Sequence, residues 1–85
     1  MTSSYRGRRV LVIGGLGFIG IHLSERLREA GARVTVATRS LADYQDRAVS
    51  LAARGVVVTE ADLRDAGDMR EAVRRQDVIF HLAAR

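Results

Sequence analysis

The stretch VLVIGGLGFIG, residues Val10 to Gly20, runs from an uninterrupted apolar segment into one where Gly14, Gly17 and Gly20 recur at every third position. A loop that only turns needs one glycine or two, where φ is positive. Three at this spacing, between a strand-like run and a helix-like pattern, imply a backbone against which something else is pressed. The preceding RRVLVI is rich in β-branched residues and does not alternate, the pattern of a strand buried on both faces. From Phe18 the period becomes helical. Ile19, Leu23, Leu27 and Ala30 are expected inward, Glu25, Arg26, Arg28 and Glu29 off that face, and Gly31 as the stop.

Outward from this unit the alternation continues. RVTVAT reads as a second strand, followed by a polar turn and a helix in LADYQDRAVSLAARG, with Leu41, Tyr44, Ala48 and Leu51 inward and Gly55 as its stop. VVVTEA is a third strand. DAGDMREAVRRQ is a short amphipathic helix weakened by Gly67, with Arg64 and Asp65 as turn and cap residues ahead of it; DVIFHLA is a fourth strand. This βαβαβαβ order argues for a parallel sheet covered by helices on both faces, because each right-handed crossover carries its helix back across the sheet. The expected strand order is 3-2-1-4. It leaves DVIFHLA as an apolar edge with no lysine or proline to blunt it, so the isolated 85 residues are expected to be loosely packed and prone to associate.

The glycines then fall in the first strand-to-helix turn. There the first permits a tight turn, the second lets the backbone approach a pyrophosphate, and the third lets the helix pack closely on the strand. The free N–H groups and positive dipole end of that helix face the phosphate. A glycine-rich turn without a ligand is the competing reading.

Composition narrows the alternatives. With 85 residues, 47% hydrophobic and 28% charged, the chain has the make-up of a soluble globular domain near the lower size limit for a self-sufficient core. No apolar run approaches the roughly 20 residues of a membrane span. The start, MTSSYRGRRV, lacks the apolar region of a signal peptide, so a cytoplasmic location is expected. There is no cysteine, and His22 and His81 have no ligand-like companions, so no metal site is expected. All 14 basic residues are arginine. The absence of lysine excludes a Walker-type phosphate loop and any lysine acid, base or nucleophile. The net charge is +4, but the arginines are spread along the chain and alternate with acids, as on solvated helix faces; nucleic acid is not an expected partner.

The spacing G-x-x-G-x-x-G with GFIG as its second half resembles the fingerprint of the short-chain dehydrogenase/reductase superfamily. It is most similar to the extended branch, which includes NAD(P)-dependent sugar-nucleotide epimerases and dehydratases. Two later motifs agree. ADLRD resembles the family segment in which an aspartate, here Asp62, contacts the adenine amino group and the next residue, Leu63, packs on the ring. FHLAAR resembles the family's H-x-A-A, here His81, Ala83 and Ala84, whose backbone lies along the cofactor together with Leu82. The resemblance implies a Rossmann-like α/β fold, with residues 1–85 as the N-terminal part of an NAD(P)-binding domain, the first half of a doubly wound sheet. It implies cofactor contacts from Gly14, Gly15, Gly17, Phe18, Ile19, Gly20, Thr38, Arg39, Ser40, Asp62, Leu63, Leu82, Ala83 and Ala84. It implies a nucleotide-sugar substrate and a homodimer for the complete protein. Blander roles stand beside these: Asp62 as a turn cap, His81 as a buried structural histidine, His22 as surface, Phe18 as a staple under the helix, and Arg39 pointing to solvent.

The departures are informative too. Ile13 stands where the family usually has a threonine. At the end of the second strand an NAD-preferring member carries an acid for the ribose hydroxyls about 20 residues beyond the glycines. This chain has Thr38 there, then Arg39 and Ser40. A threonine does not repel a 2′-phosphate and a guanidinium can grip one by paired hydrogen bonds, so NADP is expected over NAD. The family's catalytic tyrosine, with a lysine four residues on, has no counterpart, because Tyr5 and Tyr44 are the only tyrosines and lysine is absent. The catalytic set is expected beyond the fourth strand, which makes these residues the N-terminal portion of a longer protein and inactive alone. The rival is a non-catalytic NADP-sensing or structural protein on the same fold. A nucleoside-cofactor methyltransferase would want an acid at Thr38.

Overall fold

The computed structural model describes residues 5–14, 16–62 and 64–82. Among these, β1 (Arg9–Ile13), α1 (Phe18–Glu29), β2 (Arg33–Thr38), α2 (Gln45–Ala53), β3 (Val57–Glu60), α3 (Ala66–Val73) and β4 (Val78–His81) follow one another, with a 3-10 turn at Leu41–Tyr44 leading into α2. Every strand pair is parallel, in the order β3-β2-β1-β4. The fold is Rossmann-like, as the alternating pattern predicts. The outer edge of β4 has no strand partner among the described residues.

β1 is buried from Val10 to Ile13 because helices cover both of its faces. Val10 and Val12, in register with Val34 and Val36 of β2, join Leu16, Leu27, Ala32, Leu51 and Val56 on the face closed by α1 and α2. Leu11 and Ile13 point the other way, to Ala37, Ala61 and the half-buried Met69, Ala72 and Val73 of α3. Complete burial of a leucine such as Leu11, Leu16 or Leu51 contributes about 1.5–3 kcal/mol.

The two faces are closed unequally. Val57 and Ile79, in register with Thr35 and Leu11 on the α3 face, remain 60% and 46% exposed. The continuous apolar runs of β3 and β4 therefore do not correspond to burial on both faces here, since the short α3 lies over the centre of the sheet. α1 also meets the sheet differently from its hydropathy pattern. Its buried residues are Gly20, Ser24 and Leu27, while Ile19, expected inward, is exposed. Small residues let the helix approach closely, and periodicity scored by hydropathy overlooks them. In α2, Leu51 is buried and Leu41 and Ala48 pack on the core as expected. Tyr44, expected inward, is exposed, with the Arg47 guanidinium 5.5 Å from its ring centroid.

Candidate functional site

A parallel sheet brings the ends of all its strands to one edge, so the segments singled out in the sequence converge although they lie far apart in the chain. β1 leads into Gly14, β2 into Arg39 and Ser40, β3 into Ala61 and Asp62, and β4 into Leu82. The order reverses between β1 and its neighbours β2 and β4, the place where open α/β sheets leave a crevice for ligands. Gly14 occupies that place with φ +81°; its N–H donates to the Ala37 carbonyl at 2.8 Å. A Cβ there would come within 3.1 Å of the Leu82 carbonyl oxygen, so the tight turn and the close approach of β4 both call for glycine.

Gly17 is different. It caps α1 with ordinary extended angles, φ −75° and ψ 175°, and a Cβ built on it would meet nothing nearer than the Gly14 carbonyl oxygen at 4.0 Å. The fold itself does not require glycine here. α1 has no side-chain cap and no acidic residue in its first turn. Its leading N–H groups and the positive end of its dipole are left for an anion. Gly20 is buried in the same turn. This is a cradle that a side chain would fill, and it fits a dinucleotide pyrophosphate. Phe18 and Ile19 are exposed; the Phe18 ring packs edge-on against His22 with centroids 4.5 Å apart, so it is not a staple beneath the helix.

Thr38 is buried at the end of β2 and its carbonyl accepts from the Ala61 N–H at 2.9 Å, tying the β2 and β3 termini together. Its hydroxyl accepts a long 3.4 Å bond from the Ser40 N–H. Ser40 is half-buried and precedes the 3-10 turn. Arg39 is exposed, and among the described residues no carboxylate pairs with it, although its charge helps lower the pKa of Asp62.

Asp62 is already engaged. Its Oδ1 accepts from the Arg64 backbone N–H at 2.9 Å and from Nε at 3.2 Å, and its Oδ2 accepts from the Arg64 terminal nitrogen at 3.1 Å. The Arg64 side chain first, then its backbone amide, hold the Asp62 carboxyl below the ordinary aspartate value. The Asp62 N–H donates to Asp68, and Asp65 caps α3 by accepting from the Asp68 N–H at 2.9 Å, the capping role expected of it. Asp62 therefore serves as a turn residue in this state, and any contact with an adenine amino group would use the acceptor capacity the arginine leaves. His81 is exposed at the end of β4, not a buried structural histidine. Leu82 is half-buried, and its N–H donates to Ile13 at 3.0 Å. Gly15, Leu63, Ala83 and Ala84 lie outside the described residues.

One residue at the site has no signal in the sequence. Arg47, on α2, donates from a terminal nitrogen to the Leu16 carbonyl at 2.9 Å, inside the glycine loop and across 31 positions of chain. Only the packing of α2 beside α1 brings it there. Among the described residues there is no group of three or more His, Cys, Asp or Glu that could hold a metal ion, and no helix is long and apolar enough to cross a membrane.

A parallel sheet with a glycine turn at its switch point and an uncapped helix beyond it defines the dinucleotide-binding class of α/β proteins. Residues 10–85 match the NAD dependent epimerase/dehydratase family, and the chain belongs to it. It is 34% identical over 80 residues to a UDP-N-acetyl-alpha-D-glucosaminuronate decarboxylase of Bacillus cytotoxicus, a match covering 91% of this chain and 24% of that protein. Among solved structures, the epimerase Mth375 of Methanothermobacter thermautotrophicus superposes with a TM-score of 0.78 at 28% identity, over 98% of this chain and 24% of its own. The Pseudomonas aeruginosa RhlG/NADP complex superposes with a TM-score of 0.77 at 32% identity, over 100% of this chain and 38% of that one. The chain thus spans about a quarter of the length of the decarboxylase and of Mth375.

Proposed function

We propose that these residues form the adenosine and pyrophosphate half of an NADP site, the N-terminal part of the cofactor domain of an enzyme that modifies a nucleotide sugar by epimerisation, dehydration or reduction. The observation that carries the reading is the open space at Gly17, a glycine the fold does not need, at the uncapped N-terminus of α1. Gly14 and Gly17 admit the pyrophosphate, and the first N–H groups of α1 meet its charge. Arg39 grips the 2′-phosphate beside Thr38, where an acid would repel it. The bound dinucleotide supplies hydride transfer; these residues bind and orient it. The sugar-binding and acid–base groups belong to chain beyond β4.

A charge-assisted hydrogen bond contributes about 1.5–3 kcal/mol, so Arg39→Ala in the whole protein is expected to weaken NADP roughly ten- to a hundredfold and leave NAD nearly unchanged. Fluorescence titration with both cofactors measures this. Equal losses for the two, or none for NADP, would overturn the assignment of Arg39.

A further inference from the structure

Arg47 lies on the second helix, yet its side chain's only hydrogen bond among the described residues is made to the glycine loop. We propose that Arg47 is a positioning residue of the phosphate cradle: by holding the Leu16 carbonyl it fixes the backbone at Leu16 and Gly17 in the shape that receives the pyrophosphate. The inference rests on the dinucleotide reading above and adds a residue to it.

Two anchors act on the same residue. The Leu16 side chain is 1% exposed and sits in the core formed by β1, β2, α1 and α2, which fixes the loop from below. Its carbonyl is taken up by Arg47 at 2.9 Å, a partly buried bond to a charged donor. A loop that offers N–H groups to a phosphate gains nothing from a free carbonyl oxygen nearby, because that oxygen carries the wrong partial charge. The guanidinium neutralises it and leaves the neighbouring amides dominant.

The placement of the charge points the same way. Leu16 immediately precedes Gly17, the cap of α1, so Arg47 brings a positive charge to the positive end of a helix dipole. Among the described residues no carboxylate forms an ion pair with it, and the Tyr44 ring centroid lies 5.5 Å away. The guanidinium, held there by the Leu16 carbonyl, adds its charge to that of the helix terminus, and the two together attract an anion. The pyrophosphate is common to NAD and NADP, so a residue acting through the loop affects both equally, unlike one that touches the 2′-phosphate.

The test uses the whole protein with Arg47→Met, which keeps the apolar stem and loses the donors, and Arg47→Lys, which keeps one charged donor group. Dissociation constants for NADP and NAD are measured by titration, and amide hydrogen exchange across residues 14–18 is followed without cofactor. Arg47→Met is expected to weaken NADP and NAD by the same factor, about tenfold, and to speed exchange in the loop, with Arg47→Lys in between. A loss confined to NADP would mean direct contact with the 2′-phosphate and overturn the proposal. So would unchanged affinities with unchanged exchange. If the unsubstituted protein binds neither dinucleotide, the proposed function fails, while the exchange measurement still decides whether Arg47 holds the loop.

Discussion

At the amino end of the sheet, Gly31 and Gly55 end α1 and α2 with φ of +94° and +91°. Each donates to the carbonyl three residues back, while the next residue reaches the carbonyl five back: Ala32 to Leu27, and Val56 to Leu51, both at 3.1 Å. This paired closure needs the left-handed conformation that glycine adopts without penalty. At the carboxyl end, Gly17 has ordinary angles and empty space where a Cβ would stand. The first two glycines are required by the backbone conformation of the chain itself; the third is not. A glycine that its own fold does not require is a better indicator of a ligand than the number of glycines in a motif.

That contrast can be broken by substitution. Gly17→Val should have the largest effect on binding. It is expected to abolish NADP and NAD binding in the whole protein while thermal unfolding shows at most about 1 kcal/mol of lost stability, the difference between glycine and valine at a helix cap. Retained binding in a calorimetric titration would mean that Gly17 serves only the turn. Gly31→Ala should do the reverse. It forces a side chain into the left-handed region, within 3.3 Å of the Arg6 Cα, and is expected to cost about 1–2 kcal/mol in urea denaturation while leaving both dissociation constants unchanged.

The smallest effect concerns Asp62. Its carboxyl is held below the ordinary aspartate value by Arg64, so the stabilisation it lends the turn is present at neutral pH. It is lost as pH falls from about 4 through the lower folded value. Arg64→Ala should raise the Asp62 value in an NMR carboxyl titration and narrow the stability difference from the unsubstituted protein in acid. An Asp62 titration indifferent to the substitution would show that the ion pair does not form in solution.

The ends of the sheet differ in charge as well. Arg26 and Arg28 lie in the last turn of α1, and Arg54 and Arg74 close α2 and α3. Arg9 and Arg33 begin β1 and β2. Along the chain these arginines look evenly spread, but the parallel topology collects them at one end, where the negative ends of the helix dipoles favour them. Arg39 and Arg47 stand at the opposite end, beyond the reach of that explanation.

What could be read directly from residue order was local. The apolar run and glycine turn at Val10–Gly20, the helix stops at Gly31 and Gly55, and the cap at Asp65 depend on neighbours a few positions away. The alternation of strand and helix then leaves few topologies, and the 3-2-1-4 order followed. What tertiary structure decided was everything that depends on which surfaces meet. Ser24, rather than Ile19, faces the sheet beside Gly20, whose close packing the glycine spacing already implied, because close approach selects small residues, which carry no hydropathy signal. Val57 and Ile79 stay exposed because coverage of a strand is a property of the layer above it. Arg47 reaches Leu16 because α2 packs beside α1, a contact across 31 positions for which sequence spacing offers no rule.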